Sequence, residues 1–255
     1  MSLADLQRET MRGLAASDAD LHRHEREGDG DDDEDVYRSL VRASLAGMIR
    51  FQLARTALHL GARFDRDIAR FLDAGLPRSR YLRDVGFAFF AAISPAWEGD
   101  PEIPVFANDL ARWELLSFDL TSAPDDLSVE HAEPLALDRR VRLSSSARLF
   151  RAQHAVHLLP EDDLACAPKA EPTALCVYRD AAFEQRTLAL TPAAAAILER
   201  LLAGTTLGDA VSGAAAERGV ALDPAFLQGA ARVLEDLTER GVVRGPMGAA
   251  SAPGA

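Results

Sequence analysis

Apolar residues in the first half of the chain recur every three to four positions, which is the period of one face of an α-helix. The segment that begins at Val36 shows this spacing through Leu40, Leu45, Met48 and Leu53. Segments of this kind predict helices over residues 36–53, 65–74, 81–93 and 104–120. We therefore predict a helical bundle domain over residues 36–123.

Helix-stop residues mark two of these predicted ends. Gly75, followed by Pro77, indicates the end of the second helix, because glycine readily adopts the conformation that closes a helix. Ser94-Pro95 indicates the end of the third helix, since proline cannot donate the next helical hydrogen bond.

Short segments typical of β-strands follow Pro124. Residues 139–143 and 154–159 alternate or run apolar over short lengths, and three serines separate the two segments. This pattern predicts a strand-rich connecting segment over residues 124–172. Residues 174–179 and 185–190 then predict the two strands of a hairpin that turns through residues 180–182.

Three helices are signalled after the hairpin. Thr191, Thr206 and Asp223 are residue types that cap helix N-termini. Each predicted helix ends at a glycine, namely Gly204, Gly219 and Gly241. Residues 242–244 predict a final short strand, which gives a winged-helix-like domain (hairpin plus three helices) over residues 173–245. The predicted fold class is therefore α+β and mainly helical, with an N-terminal bundle, a small strand-rich segment and this C-terminal domain.

The two ends of the chain are polar or rich in small residues. We expect residues 1–35 to form an acidic N-terminal arm, with a short amphipathic helix within 3–24 and a mobile loop over 28–35. Residues 246–255 predict a disordered tail. The N-terminus lacks an apolar signal segment, and no apolar stretch reaches the roughly 20 residues of a membrane span. We therefore expect a cytoplasmic protein.

The formal net charge of −12 argues against a protein whose main task is to bind nucleic acid. Residues 223–232, at the start of the last predicted helix, offer only Gln228 and Arg232 for reading bases. A DNA-binding transcriptional regulator is accordingly the alternative prediction and not the leading one.

Few side chains suggest catalysis or metal binding. Glycine-rich phosphate loops, Gly-x-Ser-x-Gly and His-Glu-x-x-His do not occur. His154 and His157 lie in a predicted strand at a spacing that points them to opposite faces. Cys166 and Cys176 lack Cys-x-x-Cys spacing and are expected to be small buried side chains. An enzyme that uses Glu114 or the histidines is thus the least favoured class, and we expect no catalytic residue, cofactor or metal site in this chain.

Two features of the sequence favour binding of other proteins. Residues 76–84 present Arg78, Arg80, Tyr81 and Arg83 after a proline, and Arg and Tyr are enriched at protein interfaces. The hairpin offers a strand edge to which an extended peptide can add. The side chains expected to contact such a peptide are Leu175, Val177, Tyr178, Arg179, Arg186 and Leu188. The sequence leaves open which of the two strands receives it.

The order of several motifs along the chain resembles a known bacterial family. The motifs are YRSLVRASL from Tyr37, PRSRYL from Pro77, IPVFANDLARWE from Ile103 and VRLSSSARLFRAQHAVHLL from Val141. In this order they are similar to the family that includes the methanobactin-biosynthesis C subunit and the HvfC-like proteins, and whose name refers to a DNA-binding domain. The likeness covers about residues 36–243.

The resemblance implies a non-catalytic subunit that pairs with a TIM-barrel, multinuclear non-haem iron oxidase, an enzyme that modifies cysteines of a ribosomally made precursor peptide. It implies that this chain holds the oxidase and the leader of the precursor together, and that the iron ligands belong to the partner. The positions that match the family's partner-facing segments are Arg78, Ser79, Arg80, Tyr81, Asp84, Arg112, Trp113 and Glu114. The leading hypothesis is therefore a scaffold and peptide-recognition protein.

Overall fold

The computed structural model describes residues 30–75, 79, 81–124, 134–160 and 166–247. The chain divides into two units, one of residues Met1–Phe118 and His154–Ala170 and the other of Asp119–Gln153 and Glu171–Ala255. We call the first the helical unit and the second the mixed unit. The predicted connecting segment, 124–172, is thus divided between the two. The predicted helix within 3–24 and residues 248–255 of the predicted tail lie outside the described residues.

The first half of the described chain is helical, as predicted. Its helices are α1 (Gly30–Gln52), α2 (Ala54–Leu60), α3 (Ala62–Asp73), α4 (Val85–Trp97) and α5 (Ala107–Thr121). A single 3-10 turn, Leu82–Asp84, precedes α4. The core of the helical unit includes Ile49 of α1, Phe64 of α3 and Phe89 of α4, all fully buried. No helix in the described part of the chain is both long enough and apolar enough to cross a membrane.

The first helix starts earlier than the apolar spacing indicates. It begins at Gly30, so the expected mobile loop over residues 28–35 is wrong from Gly30 onward. Acidic residues 31–35 fill the first turns of α1. The positive end of a helix dipole favours negative charge at this position, which explains why an acidic run can be helical.

Two backbone breaks divide the helices that follow. Leu53 leaves the helical region with φ −121° and ψ 41°, and α2 begins directly after it. Gly61 has φ 53°, a left-handed conformation that glycine adopts without a Cβ clash, and it separates α2 from α3. As a result α3 starts at Ala62 instead of residue 65.

The predicted stop at Ser94-Pro95 is wrong, because α4 continues through Pro95 to Trp97. The Trp97 side chain is buried, and its indole Nε1 donates a hydrogen bond of 2.9 Å to Asp67 Oδ2. Arg63 in turn donates to Asp67 at 3.1 Å and to Asp100 at 2.8 Å. These tertiary contacts hold the last turn of α4 and compensate for the backbone bond that proline cannot make.

The described residues of the mixed unit form five strands in two antiparallel sheets. The strands are β1 (Val141–Leu143), β2 (Arg148–Ala152), β3 (Thr173–Arg179), β4 (Gln185–Ala189) and β5 (Val243–Pro246). One sheet has the order β2-β3-β4, and the other pairs β1 with β5. The predicted hairpin is therefore present as β3 and β4. Cys176 of β3 is fully buried, and burial raises its pKa to about 12, whereas Cys166 is only half-buried.

Residues 154–159 do not form the predicted strand. They contain a 3-10 helix, Val156–Leu158, and belong to the helical unit. Val156 and Leu159 are both buried, and a spacing of three brings two side chains to one side of a helical turn but to opposite faces of a strand. The apolar run was ambiguous between these two structures.

The winged-helix-like arrangement is not confirmed. A final strand exists close to the predicted residues, but β5 pairs with β1 and not with the hairpin. The third strand of the hairpin sheet is β2, which pairs with β3 over residues 148–152. What is confirmed is the coarser description, an α+β fold with small antiparallel sheets.

Three capped helices follow the hairpin, as predicted. They are α6 (Pro192–Leu202), α7 (Leu207–Glu217) and α8 (Pro224–Glu239). The side chains of Thr191, Thr206 and Asp223 each accept a hydrogen bond from the backbone N–H three residues later. Gly204, Gly219 and Gly241 have positive φ beyond the helix ends. Buried residues of all three helices join Cys176 and Tyr178 of β3 in one core.

Candidate functional site

The central strand β3 has no edge open to an added peptide. It pairs with β2 on one side and with β4 on the other. Leu175, Val177 and Tyr178 are 1%, 0% and 4% exposed. The prediction that these three side chains contact a bound peptide is therefore wrong, because both the backbone edges and the side chains of β3 are already covered.

The outer strand β4 does present a backbone edge. Asp180 N donates to Glu184 O, and Leu190 N donates to Ala174 O, so the hydrogen-bonded pairs of the hairpin include even-numbered positions of β4. Bonded and non-bonded pairs alternate in an antiparallel ladder, which turns the backbone groups of Thr187 and Ala189 away from β3. Both residues are exposed, and among the described residues no strand pairs with this side of β4.

The hairpin turn is fixed by ionic hydrogen bonds. Asp180 Oδ1 accepts from the backbone N–H groups of Ala182 and Glu184. Arg186 of β4 donates to Asp180 Oδ2 and to Glu184 Oε2, both at 2.6 Å. The hydrogen bond from Arg186 is the main cause that lowers the pKa of Asp180. Arg186 therefore rigidifies the start of β4, and its charge is already matched by two carboxylates.

Of the remaining residues predicted to contact a peptide, Arg179 makes contacts within the mixed unit and Leu188 is half-buried. Arg179 donates its backbone N–H to Ser146 Oγ at 3.0 Å and its guanidinium to the carbonyl of Ala123. The same guanidinium lies 5.4 Å from the ring centre of Phe183, an exposed residue whose φ of 62° is unusual for an aromatic side chain. Leu188 is half-buried against the core. Sequence reasoning missed Phe183, and its place beside an Asp-led turn was the available signal.

In the helical unit, three of the predicted partner-facing residues form one small turn. Ser79 Oγ donates to Asp84 Oδ2 at 2.6 Å and accepts from Tyr81 N at 3.1 Å. The side chain of Tyr81 is left exposed, with 70% of its surface open to solvent. Leu82 and Phe87 are exposed nearby in sequence, and we call these three residues the Tyr81 patch. Arg78 and Arg80 lie outside the described residues.

A buried glutamine of α1 binds the backbone that connects Leu82 to Phe87. Gln52 Nε2 donates to the carbonyl of Arg83 at 2.6 Å, and Gln52 Oε1 accepts from Gly86 N at 2.8 Å. A Cβ atom at Gly86 would lie 2.2 Å from Gln52 Oε1. This contact requires glycine at residue 86, since any side chain would displace the glutamine.

We expect Gly86→Ala to lower the free energy of unfolding by about 2–3 kcal/mol, through overpacking and two disturbed hydrogen bonds. Thermal or denaturant unfolding measures this change. Gly229→Ala is the control, because the space around Gly229 within α8 is empty and alanine favours helix. In a Gln52→Ala background the cost of Gly86→Ala should fall, and strict additivity of the two changes would contradict the proposed contact.

Of the three predicted partner-facing residues in α5, only Arg112 is exposed. The Trp113 side chain is buried, and its ring packs edge-on against His157 with centroids 6.1 Å apart. Glu114 points its carboxylate toward the backbone of α2. The partner-facing prediction is therefore wrong for Trp113 and Glu114, because both side chains are used inside the helical unit.

Glu114 caps the N-terminus of α2 from a different helix. Its carboxylate accepts from Arg55 N at 2.6 Å, from Thr56 N at 2.9 Å and from Thr56 Oγ1 at 2.6 Å. The break at Leu53 exposes these backbone donors, and the carboxylate satisfies them. Burial raises the pKa of Glu114 to about 7, although the three hydrogen bonds act in the opposite direction. The Glu114 carboxylate therefore stabilises the start of α2.

A second buried carboxylate holds the segment that begins at His154. Asp109 Oδ2 lies 2.9 Å from His154 Nδ1 and accepts from His154 N at 3.1 Å. Arg55 donates to the carbonyl of Leu159 at 2.9 Å. The two histidines therefore have separate neighbours. Across the described residues, no three His, Cys, Asp or Glu side chains are grouped so that they could hold a metal ion.

The charges of the last helix, α8, do not favour DNA. In α8, Glu235, Asp236 and Glu239 outnumber Arg232, and Arg240 at its end is paired with Asp236. A recognition helix must instead approach phosphates and base edges with basic or amide side chains.

The three-stranded sheet, its open outer strand and the three capped helices define the mixed unit as an α+β domain with a free strand edge. Residues 144–238 match the family model of the HvfC C-terminal domain. This match supports the resemblance to HvfC-like proteins that the motif order indicated. None of the curated proteins matches the chain.

Proposed function

We propose that the chain is a non-catalytic subunit that docks on an iron-dependent oxidase and presents the leader of a ribosomally made precursor peptide to it. The observation that carries this proposal is the open edge of β4 within the region that matches the HvfC C-terminal domain. An extended leader adds to this edge as a further antiparallel strand. The backbone groups of Thr187 and Ala189 supply the hydrogen bonds, as in other cases of strand addition.

The mixed unit suits this role because β4 is held ready before the peptide arrives. The ion pairs of Arg186 fix the turn, and Leu188 anchors the strand to the core. A rigid edge loses little conformational entropy on binding, so more of the hydrogen-bond energy appears as affinity. The specificity for one leader then comes from side chains beside the edge, among which Phe183 is the exposed aromatic one.

The helical unit supplies the surface that docks on the oxidase. The Tyr81 patch is apolar and exposed, and Arg112 adds an exposed cation elsewhere on this unit. Tyrosine and arginine are among the residue types that are enriched in interface hot spots. In this proposal the TIM-barrel partner holds the iron and carries out the oxidation of the precursor's cysteines, and this chain contributes binding alone.

Co-expression with the oxidase tests the docking surface. We expect the double variant Tyr81→Ser/Leu82→Ser to weaken the complex at least tenfold, because a desolvated aromatic anchor is commonly worth more than 1.4 kcal/mol. Leu202→Ser, at an exposed leucine of α6, is the matched control and should bind like the parent chain. Binding is measured by co-purification and by titration of the purified partners.

Three outcomes would contradict the proposal. One is a chain that stays alone in the presence of the oxidase at micromolar concentration. Another is turnover of a cysteine-bearing precursor by the purified chain without a partner. The third is a duplex-DNA affinity that falls steeply with salt, which would favour the regulator instead.

A further inference from the structure

An apolar groove of the mixed unit is not used by the proposed strand addition. It has a volume of about 460 Å³ and lies between α8 and β5, with Leu207 at the start of α7 and Leu135 completing its walls. Ala231 and Leu234 of α8 and Val243 of β5 line it. This volume is within the range of about 300–1,000 Å³ that is typical of ligand sites.

Beyond the groove, Leu227 lies on the same face of α8 as the lining residues. Leu227, Ala231, Leu234 and Thr238 follow one another at helical spacing and therefore share a face. Leu227 is 44% exposed. From Leu227 to Thr238 the helix rises about 16 Å, which is close to three turns. This face of α8 is thus about as long as a short helix.

Acidic side chains at the groove favour a cationic occupant. Glu235 and Glu239 line it, are exposed, and stand four residues apart on α8, where like charges repel each other. Within the part of the chain that the structure describes, neither has an ion-pair partner, whereas Asp236 on the same helix is paired with Arg240 at 2.7 Å. A lysine or arginine from another molecule would relieve this repulsion.

Three further segments of the chain carry no net positive charge. Residues 125–133 directly precede the groove wall and carry four acidic residues without a lysine or arginine. Residues 248–255 carry no charged side chain, and residues 1–29 carry seven acids against four arginines. Because these segments carry net negative charge or none, a basic segment of a partner protein complements the groove better than they do.

We propose that this groove binds a basic amphipathic helix of a partner protein. Apolar side chains of that helix lie on Leu234 and Ala231, and its lysines or arginines pair with Glu235 and Glu239. Such helix-in-groove binding uses one apolar face and is tuned by flanking charges. The site is separate from the edge of β4, so both can be occupied together.

A designed peptide tests the groove directly. The probe is a fluorescein-labelled peptide of about sixteen residues with leucines on one helical face and lysines on the other, and binding to the full chain is followed by fluorescence anisotropy. We expect Glu235→Lys/Glu239→Lys to weaken binding at least tenfold. The control Glu98→Lys/Glu171→Lys makes the same change of net charge at exposed sites away from the groove residues and should change affinity less than twofold.

Two further variants separate the groove from general charge effects. Ala231→Trp fills the groove without changing charge and should weaken binding at least tenfold. A peptide with glutamates in place of lysines should prefer the Glu235→Lys/Glu239→Lys chain to the parent. Equal losses in the two charge-reversed chains, or full binding by Ala231→Trp, would overturn the proposal.

Self-association of the chain and a change at the β4 edge test the choice of partner and the separation of the two sites. Self-association of the parent chain that Ala231→Trp abolishes would assign the groove to a second copy and overturn the choice of partner. Thr187→Pro, which alters only the β4 edge, should leave the binding of this peptide unchanged. Loss of the groove peptide in that variant would show that the two sites are one.

Discussion

Thr187→Pro is expected to weaken leader-peptide binding at least tenfold while the mixed unit stays folded. The N–H of Thr187 points away from β3, so proline removes a donor that an added strand needs but that the native sheet does not use. One lost hydrogen bond costs about 1 kcal/mol, and the ring also obstructs the incoming backbone. Proline is tolerated on the outer side of edge strands for the same reason.

Two neighbouring changes make this test specific. Thr187→Val keeps the backbone N–H and a branched side chain, and it should bind the labelled leader peptide within twofold of the parent. Leu188→Pro removes a donor that faces β3, and it should lower the melting temperature of the chain. Full peptide binding by a folded Thr187→Pro chain would show that the peptide does not add to β4.

Glu114→Ala is expected to lower the free energy of unfolding by about 3 kcal/mol. The change leaves Arg55 N, Thr56 N and the Thr56 hydroxyl without their acceptor at the start of α2. Loss of a helix cap costs about 1–2 kcal/mol, and buried donors without a partner add to this. Glu114→Gln keeps one acceptor oxygen and a similar volume, so its cost should be smaller. Denaturant unfolding at fixed pH measures both.

The same carboxyl makes stability depend on pH. Burial raises the pKa of Glu114 to about 7 from its ordinary 4.5, so the folded chain holds a proton that the unfolded chain has released. The stabilising contribution is complete below pH 4.5 and is lost as the pH rises to about 7. A pKa shift of this size corresponds to a change of about 3 kcal/mol in the free energy of unfolding between pH 4.5 and pH 7.

Two half-buried histidines change the stability of the fold with pH in the opposite direction. Burial lowers the pKa of His59 and of His157 from 6.5, with Arg55 adding to the effect at His59. Their stabilising contribution is present above pH 6.5 and is lost as the pH falls. Both histidines remain in Glu114→Gln, so the difference between the parent and this variant isolates the glutamate. An unchanged pH profile in Glu114→Gln would contradict the role assigned to Glu114.

The sequence predicted well those features that depend on residues close together in the chain. The caps at Thr191, Thr206 and Asp223 need only a side-chain oxygen and the N–H three residues later, and all three are present. The hairpin is similar, because Asp180 organises its own turn. Short-range chemistry of this kind leaves few alternatives for the backbone.

The features that the sequence predicted poorly depend on distant residues. The passage of α4 through Pro95 depends on a contact between Trp97 and Asp67, thirty residues apart. The pairing of β5 with β1 joins Val243 to Leu143, and nothing within either segment specifies that choice. The break at Leu53 is stabilised by Glu114, which no local pattern could indicate.

The two hairpin strands differ in burial and polarity. In β3, four consecutive residues from Leu175 to Tyr178 are buried, which is typical of a strand covered on both faces. In β4, polar residues occupy positions 185–187, as expected for an outer strand. The sequence alone left the receiving strand open, because the free edge of β4 and the pairing of β3 with β2 became visible only in the structure.

The exposed edge of β4 also has a cost for the protein when no peptide is bound. Backbone donors and acceptors that can pair with a peptide strand can also pair with β4 of another molecule of this protein. Chains that pair in this way can form aggregates. The edge is only five residues long and carries Arg186, which limits such growth. Concentrated solutions of the protein should therefore aggregate more slowly when the peptide is present from the start.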